Sequence, residues 1–153
     1  MFRKYGVAAL SAGLLLIACG GDSSQKPNGI INPNGDSELA LLMRDMFEDG
    51  MLTKQQILDR RTPEIKCDYT RIHTAAATQP EKVATAEYKL YANAYEVSVE
   101  TLLASDPAKR ADTYQTMIAA CMQCHQTMCP GPMVKIKKMY LSEVEMQSFS
   151  DHH

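Results

Sequence analysis

Residues 121–125 read Cys-Met-Gln-Cys-His. On a helix, side chains three and four apart share a face, so Cys121 and Cys124 point the same way and His125 lies one turn beyond Cys121. Such a set has three chemistries open to it. The thiols can add to the two vinyl groups on one edge of a haem, with the imidazole reaching the iron, which is the usual meaning of Cys-x-x-Cys-His. They can act as a redox dithiol, which calls for a strand leading into a βαβ surround. Or they can enter a four-ligand zinc or iron–sulfur site, with Cys129 and either Cys67 or His73 supplying the remaining ligands. A single covalently attached haem c is the expected cofactor, held by Cys121 and Cys124, with His125 as the proximal iron ligand.

The start of the chain supports that choice. Arg3 and Lys4 precede the apolar run Val7–Ala18, and small residues follow. A basic start, a short apolar stretch and a small-residue cut site describe a secretory signal peptide, and the run is too short to span a bilayer comfortably. Leu16-Ile17-Ala18-Cys19 is similar to a bacterial lipobox. The likeness implies cleavage before Cys19 and lipid on its sulfur, with two or more acyl chains giving a stable membrane anchor. Gly20 stands where an aspartate would favour inner-membrane retention in some bacteria, which points to the outer membrane, facing the periplasm, within the bacterial cell envelope. Attachment of a c-type haem belongs to the exported side of a membrane, so leader and motif agree.

The organisation expected is a signal peptide over 1–18, a flexible tether over 19–36 carrying lipidated Cys19, and a monohaem domain over 37–153 with an irregular C-terminal tail. The tether, rich in Gly, Asn, Ser, Pro and Asp, has no periodicity. The chain holds 16 Lys and Arg against 18 Asp and Glu. Loss of Arg3 and Lys4 brings the mature net charge to about −4, which excludes the basic face that nucleic acid requires. Of the five cysteines, Cys19 goes to lipid and two to the motif. Cys67 and Cys129 remain, and in an oxidising compartment they are expected to pair; the loop so closed could contribute about 4 kcal/mol.

Helical periodicity runs through the rest. The first helix is predicted over 37–60, capped by Asp36 or Ser37 and ended by Pro63, with Leu39, Leu42, Met43, Met46, Phe47, Ile57 and Leu58 near one side. A short, weak helix follows over Cys67–Ala76. The next is predicted over 81–104 with two apolar stripes: Tyr88, Tyr91, Tyr95 and Leu102, and Leu90, Ala94, Val97 and Thr101. Two stripes imply neighbours on both sides. Ser105-Asp106-Pro107 breaks the chain, with Pro107 opening the last long helix, 107–127. Pro130 and Pro132 stop it, and the tail beyond is expected to pack only partly. No strand alternation, Gly-rich phosphate loop or nucleophile elbow is present.

Over residues 37–128 this order of helices, with Cys121-x-x-Cys124-His125 late in the chain and on the last of them, resembles the class II c-type cytochromes, the cytochrome c-prime kind. The resemblance implies an all-α, antiparallel four-helix bundle with a short second helix here. It departs from the family after His125, where Gln-Thr-Met-Cys-Pro-Gly-Pro replaces the usual aromatic–basic pair. Low-spin members place a methionine of the first helix on iron and carry electrons; high-spin members leave that side apolar and bind small gases. Met43 is the sixth ligand the resemblance implies, with Met46 and His73 as lesser candidates. The function expected is that of a membrane-anchored carrier relaying single electrons between exported redox proteins, and not an enzyme. The alternatives are a five-coordinate module binding NO or CO, and a haemless metal-binding or structural lipoprotein. Lys135, Lys137 and Lys138 can steer an acidic redox partner or simply form a solvated face.

Overall fold

Ser37 opens the first long helix. Its Oγ accepts the amide of Ala40 at 3.2 Å, satisfying one of the amides that a helix start leaves unpaired. Glu38 in the first turn complements the helix dipole. The computed structural model describes residues 35–150; the leader, Cys19, nearly all of the tether and the last three residues lie outside the described residues.

Helix α1 covers Glu38–Leu58. It stops before Pro63, through its own backbone. Arg60 takes a left-handed conformation with φ 56°, so its amide reaches Ile57 O at 2.9 Å and that of Arg61 reaches Gln56 O at 2.8 Å. This paired closure is usually made by glycine, and a residue with a Cβ adopts it at a cost of about 1–2 kcal/mol. The chain then folds back along α1. Gln56 Oε1 accepts the amide of Glu64 at 3.0 Å, and Asp49 Oδ2 accepts those of Lys66 at 2.8 Å and Cys67 at 2.6 Å.

The expected helix over Cys67–Ala76 is only a five-residue 3₁₀ turn, Tyr69–His73. The long-range bonds from Asp49 hold its entry, and Tyr88 Oη donates to Ile72 O at 2.7 Å, so backbone groups that a longer helix would pair internally are taken by side chains. The helix expected over 81–104 is also divided. A four-residue helix α2, Pro80–Val83, ends before Thr85, whose Oγ1 accepts the amide of Tyr88 at 3.1 Å and starts α3, Ala86–Leu103. Pro107–Lys109 forms a 3₁₀ turn leading into α4, Arg110–Met128.

Two pairs of contacts give the directions. Tyr91 at the start of α3 meets Thr127 at the end of α4, while Ser105 just past α3 meets Thr113 early in α4; these helices are antiparallel. Tyr114 Oη donates to Gly50 O at 3.0 Å, while Met43, nearer the start of α1, shares a cavity wall with His125. Helices α1 and α4 are therefore antiparallel too, and α1 and α3 run parallel. The core lies between these three: Leu42, Met46 and Ile57 from α1, Tyr88, Ala92, Tyr95, Val99 and Leu102 from α3, and Tyr114, Met117, Ile118 and Met122 from α4. Among the described residues there is no strand, and the all-α class is as expected. The second stripe of α3 is not covered, because Leu90 is 66% and Val97 59% exposed.

The tail is helical, which corrects the expectation of an irregular one, and it packs in part. It forms α5, Met133–Ile136, a 3₁₀ turn, Lys137–Met139, and α6, Glu143–Ser150. Ile136, Met139 and Leu141 are buried. Gln115 holds Leu141 by both backbone groups at 3.1 Å, and Lys54 Nζ donates to Tyr140 O at 2.7 Å. The Tyr114 hydroxyl also reaches Met139 O at 2.8 Å. A Cβ on Gly50 would strike Met139 Cε, so glycine there permits the close approach of the tail.

Candidate functional site

The last turn of α4 presents Cys121, Cys124 and His125 towards α1. Pro130 ends the helix and leaves its final carbonyls without amide partners. One of them is satisfied from inside: His125 Nδ1 lies 2.9 Å from Cys129 O. A carbonyl can only accept, so Nδ1 is the protonated nitrogen of this contact, and in the neutral ring the lone pair is left on Nε2. That is the arrangement in which a histidine binds a metal through Nε2 with its ring oriented by the backbone. The sequence reading missed the part played by Cys129 O, although the helix stop at Pro130 was its signal.

Three adjoining cavities meet at this ring, and Met43 and His125 line all three. One, of about 430 Å³, is walled by Ala40, Arg44, Phe47, Pro132, Lys135 and Ile136 besides that pair. Another, of about 190 Å³, adds Leu39, Val83, Tyr88 and Cys124. The third, of about 30 Å³, lies against Ile72, Tyr91, Tyr95, Cys121 and Cys124. The first alone falls in the range of roughly 300–1,000 Å³ typical of ligand pockets. The walls are mainly apolar, and both thiols, the histidine and Met43 converge on the space.

The other candidates fall elsewhere. Met46 is 8% exposed and packs in the core; it lines none of the three cavities. His73 Nε2 sits 2.7 Å from Glu96 Oε2, away from these walls. Met43 is the one methionine of α1 that the cavities share with His125.

Electrostatics bear on the rival chemistries. Burial, with Cys124 next, pushes the Cys121 thiol up to about 12. Burial, with Cys129 next, pushes Cys124 up to about 11. A working redox dithiol needs a lowered thiol, set by cationic neighbours or a helix N-terminus; this pair sits in the last turns of a helix among apolar walls. Nor do the parts of a zinc or iron–sulfur site converge, since among the described residues no three His, Cys, Asp or Glu side chains group as metal ligands.

Cys67 and Cys129 are both free thiols, which corrects the expected disulfide. The amide of Cys67 is fixed on Asp49, midway along α1, whereas Cys129 lines the cavities at Ala40 and Met43, near its start. Those anchor points are separated by about 9–14 Å of helix rise. Thiol labelling of the denatured, unreduced holoprotein is expected to modify both Cys67 and Cys129; labelling of neither would restore the bridge.

Comparisons with protein-family models, with curated proteins and with solved structures find no match. Among the described residues no helix is long and apolar enough to cross a membrane.

Proposed function

We propose that this protein is a lipid-anchored, monohaem c-type cytochrome of the bacterial cell envelope that relays single electrons between exported redox proteins. In this reading α1, α3, α4 and the Tyr69–His73 turn stand as a reduced version of the four-helix class II architecture. The observation that supports it most is the convergence of Cys121, Cys124, an Nδ1-protonated His125 and Met43 on one largely apolar space.

The residues fit a haem in chemistry as well as position. Cys121 and Cys124 offer two thiols on one side of the space, and each S–H would add across one vinyl double bond, sulfur to one carbon and hydrogen to the other. His125 offers Nε2. Met43 offers a thioether from the facing helix, a ligand that favours ferrous iron and raises the potential. When bound, the haem supplies one-electron exchange at its iron; no proton need be moved by the protein. The chain's own part is to keep His125 oriented through Cys129 O, to exclude water with Leu39, Phe47, Ile72 and Tyr95, and to keep α1 and α4 at fixed spacing through Tyr114.

The deciding measurement is an absorption spectrum of the protein exported together with haem-maturation machinery. A Soret band that survives denaturation and solvent extraction, with a low-spin spectrum and a weak sulfur–iron band towards the red, is expected. A high-spin spectrum shifted by carbon monoxide would replace the electron carrier by a gas-binding module. Absence of any Soret band would leave only a haemless lipoprotein.

A further inference from the structure

The cavities around His125 differ in their charge. The smaller two carry the thiols, Cys121 and Cys124. The roughly 430 Å³ cavity carries neither thiol; its charged side chains are Arg44 and Lys135. Arg44 is already matched, since its guanidinium holds Asp36 at 2.5 and 2.7 Å. Lys135 has no ion-pair partner among the described residues.

A haem is polar on one side only. Thiols attach to its vinyl edge, and its two propionate carboxylates project from the opposite edge. With the vinyl edge placed at Cys121 and Cys124, the ring would extend past His125 and Met43 towards the roughly 430 Å³ cavity, which neither Cys121 nor Cys124 lines. Two carboxylates entering a mostly apolar space need a cation or water. We propose that Lys135 is a positioning residue for the cofactor, its ammonium paired with a propionate, and that it sets the reduction potential through that charge. The inference rests on the haem reading above.

Alternative cations are less well placed. Lys82 lines the cavity that contains Cys124, and its Nζ donates to Met128 O at 3.3 Å. Lys137 and Lys138, next to Lys135 in sequence, line none of the three cavities. A single position in the basic run therefore faces the site, which the spacing of the lysines alone does not reveal.

Removing a cation beside the ring makes the ferric state easier to reach, so the potential falls. The test is redox titration of the matured, full-length lipoprotein as wild type and as Lys135→Gln, Lys135→Arg, Lys135→Glu, Lys82→Gln, Lys137→Gln and Lys138→Gln. Expected is a lowered potential for Lys135→Gln, a larger drop for Lys135→Glu, rescue by Lys135→Arg, and wild-type values for the other three. Holoprotein whose potential is unmoved by Lys135→Gln, or is moved equally by all four glutamine variants, overturns the inference and leaves the haem reading standing. A wild-type chain that carries no covalent haem overturns both.

Discussion

Met43→Ala is expected to change the spectrum without unfolding the protein. The side chain is partly buried at the meeting point of three cavities with His125. Truncating a fully buried methionine costs about 2–5 kcal/mol; a residue already bordering open space loses fewer contacts, about 1–2 kcal/mol, which a domain of ordinary stability survives. With the thioether gone, α1 presents only a methyl group to the space. On the haem reading proposed above, low-spin iron should become high-spin, carbon monoxide should bind, and the potential should fall because a ligand that favours ferrous iron is lost. Met46→Ala is the matched control. Met46 lies in the core, so its loss should cost the full 2–5 kcal/mol and leave the spectrum alone. If instead Met43→Ala keeps a low-spin spectrum, Met43 is not the ligand.

The second large effect lies farther from the site. Asp49 is 8% exposed, and one of its oxygens receives the amides of both Lys66 and Cys67. Hydrogen bonds to a carboxylate are each worth about 1.5–3 kcal/mol, and orphaned buried donors cost more than the mean bond suggests. Asp49→Ala should therefore destabilise by about 3–5 kcal/mol, read as a lowered urea midpoint. Asp49→Asn keeps one carbonyl acceptor and should lose about half as much. The carboxylate also faces the Cys67 thiol, which burial first and Asp49 second push up to about 12; Asp49→Ala should make Cys67 easier to alkylate at pH 9 as well. The loop it holds leads into the turn carrying Ile72, a wall of the cavity beside Cys121, so loosening of that wall should accompany the loss of stability. A midpoint within experimental error of wild type would remove Asp49 from this role.

How much was legible in the sequence follows from how local each signal is. Helix α1 was placed from Ser37 onward because cap, acidic first turn and apolar stripe all lie within a few residues of one another. Helix α4 was placed because Pro107 and Pro130 bracket it, and its bracket includes the whole Cys-x-x-Cys-His motif. What stayed hidden depends on partners far along the chain. The bonds that shorten the second helix reach 16 to 18 residues. Those that seat the tail reach 26 residues from Gln115 and 86 from Lys54. The tail also changes helix type at Lys137, so Ile136, Met139 and Leu141 follow no single period. Thr85 was readable as a cap, but the apolar pattern on either side of it concealed the break. At the site, the three motif residues were placed by spacing and Met43 was preferred to Met46 on the resemblance, whereas the rotation of α1 that puts Met43, and not Met46, on the cavity walls beside His125 was not readable.

The tail has one more consequence, and it concerns time. Pro132, Lys135 and Ile136 complete the wall of the roughly 430 Å³ cavity, yet they follow Cys124 and His125 in the chain. A polypeptide that crosses a membrane from its N-terminus delivers the thiols first and that wall afterwards. On the haem reading, that wall would still be missing when the thiols become available. Seating of Leu141 on Gln115 and of Met139 on Tyr114 would then close the cavity behind the ring, so that this part of the tail would be the latch of a loading step.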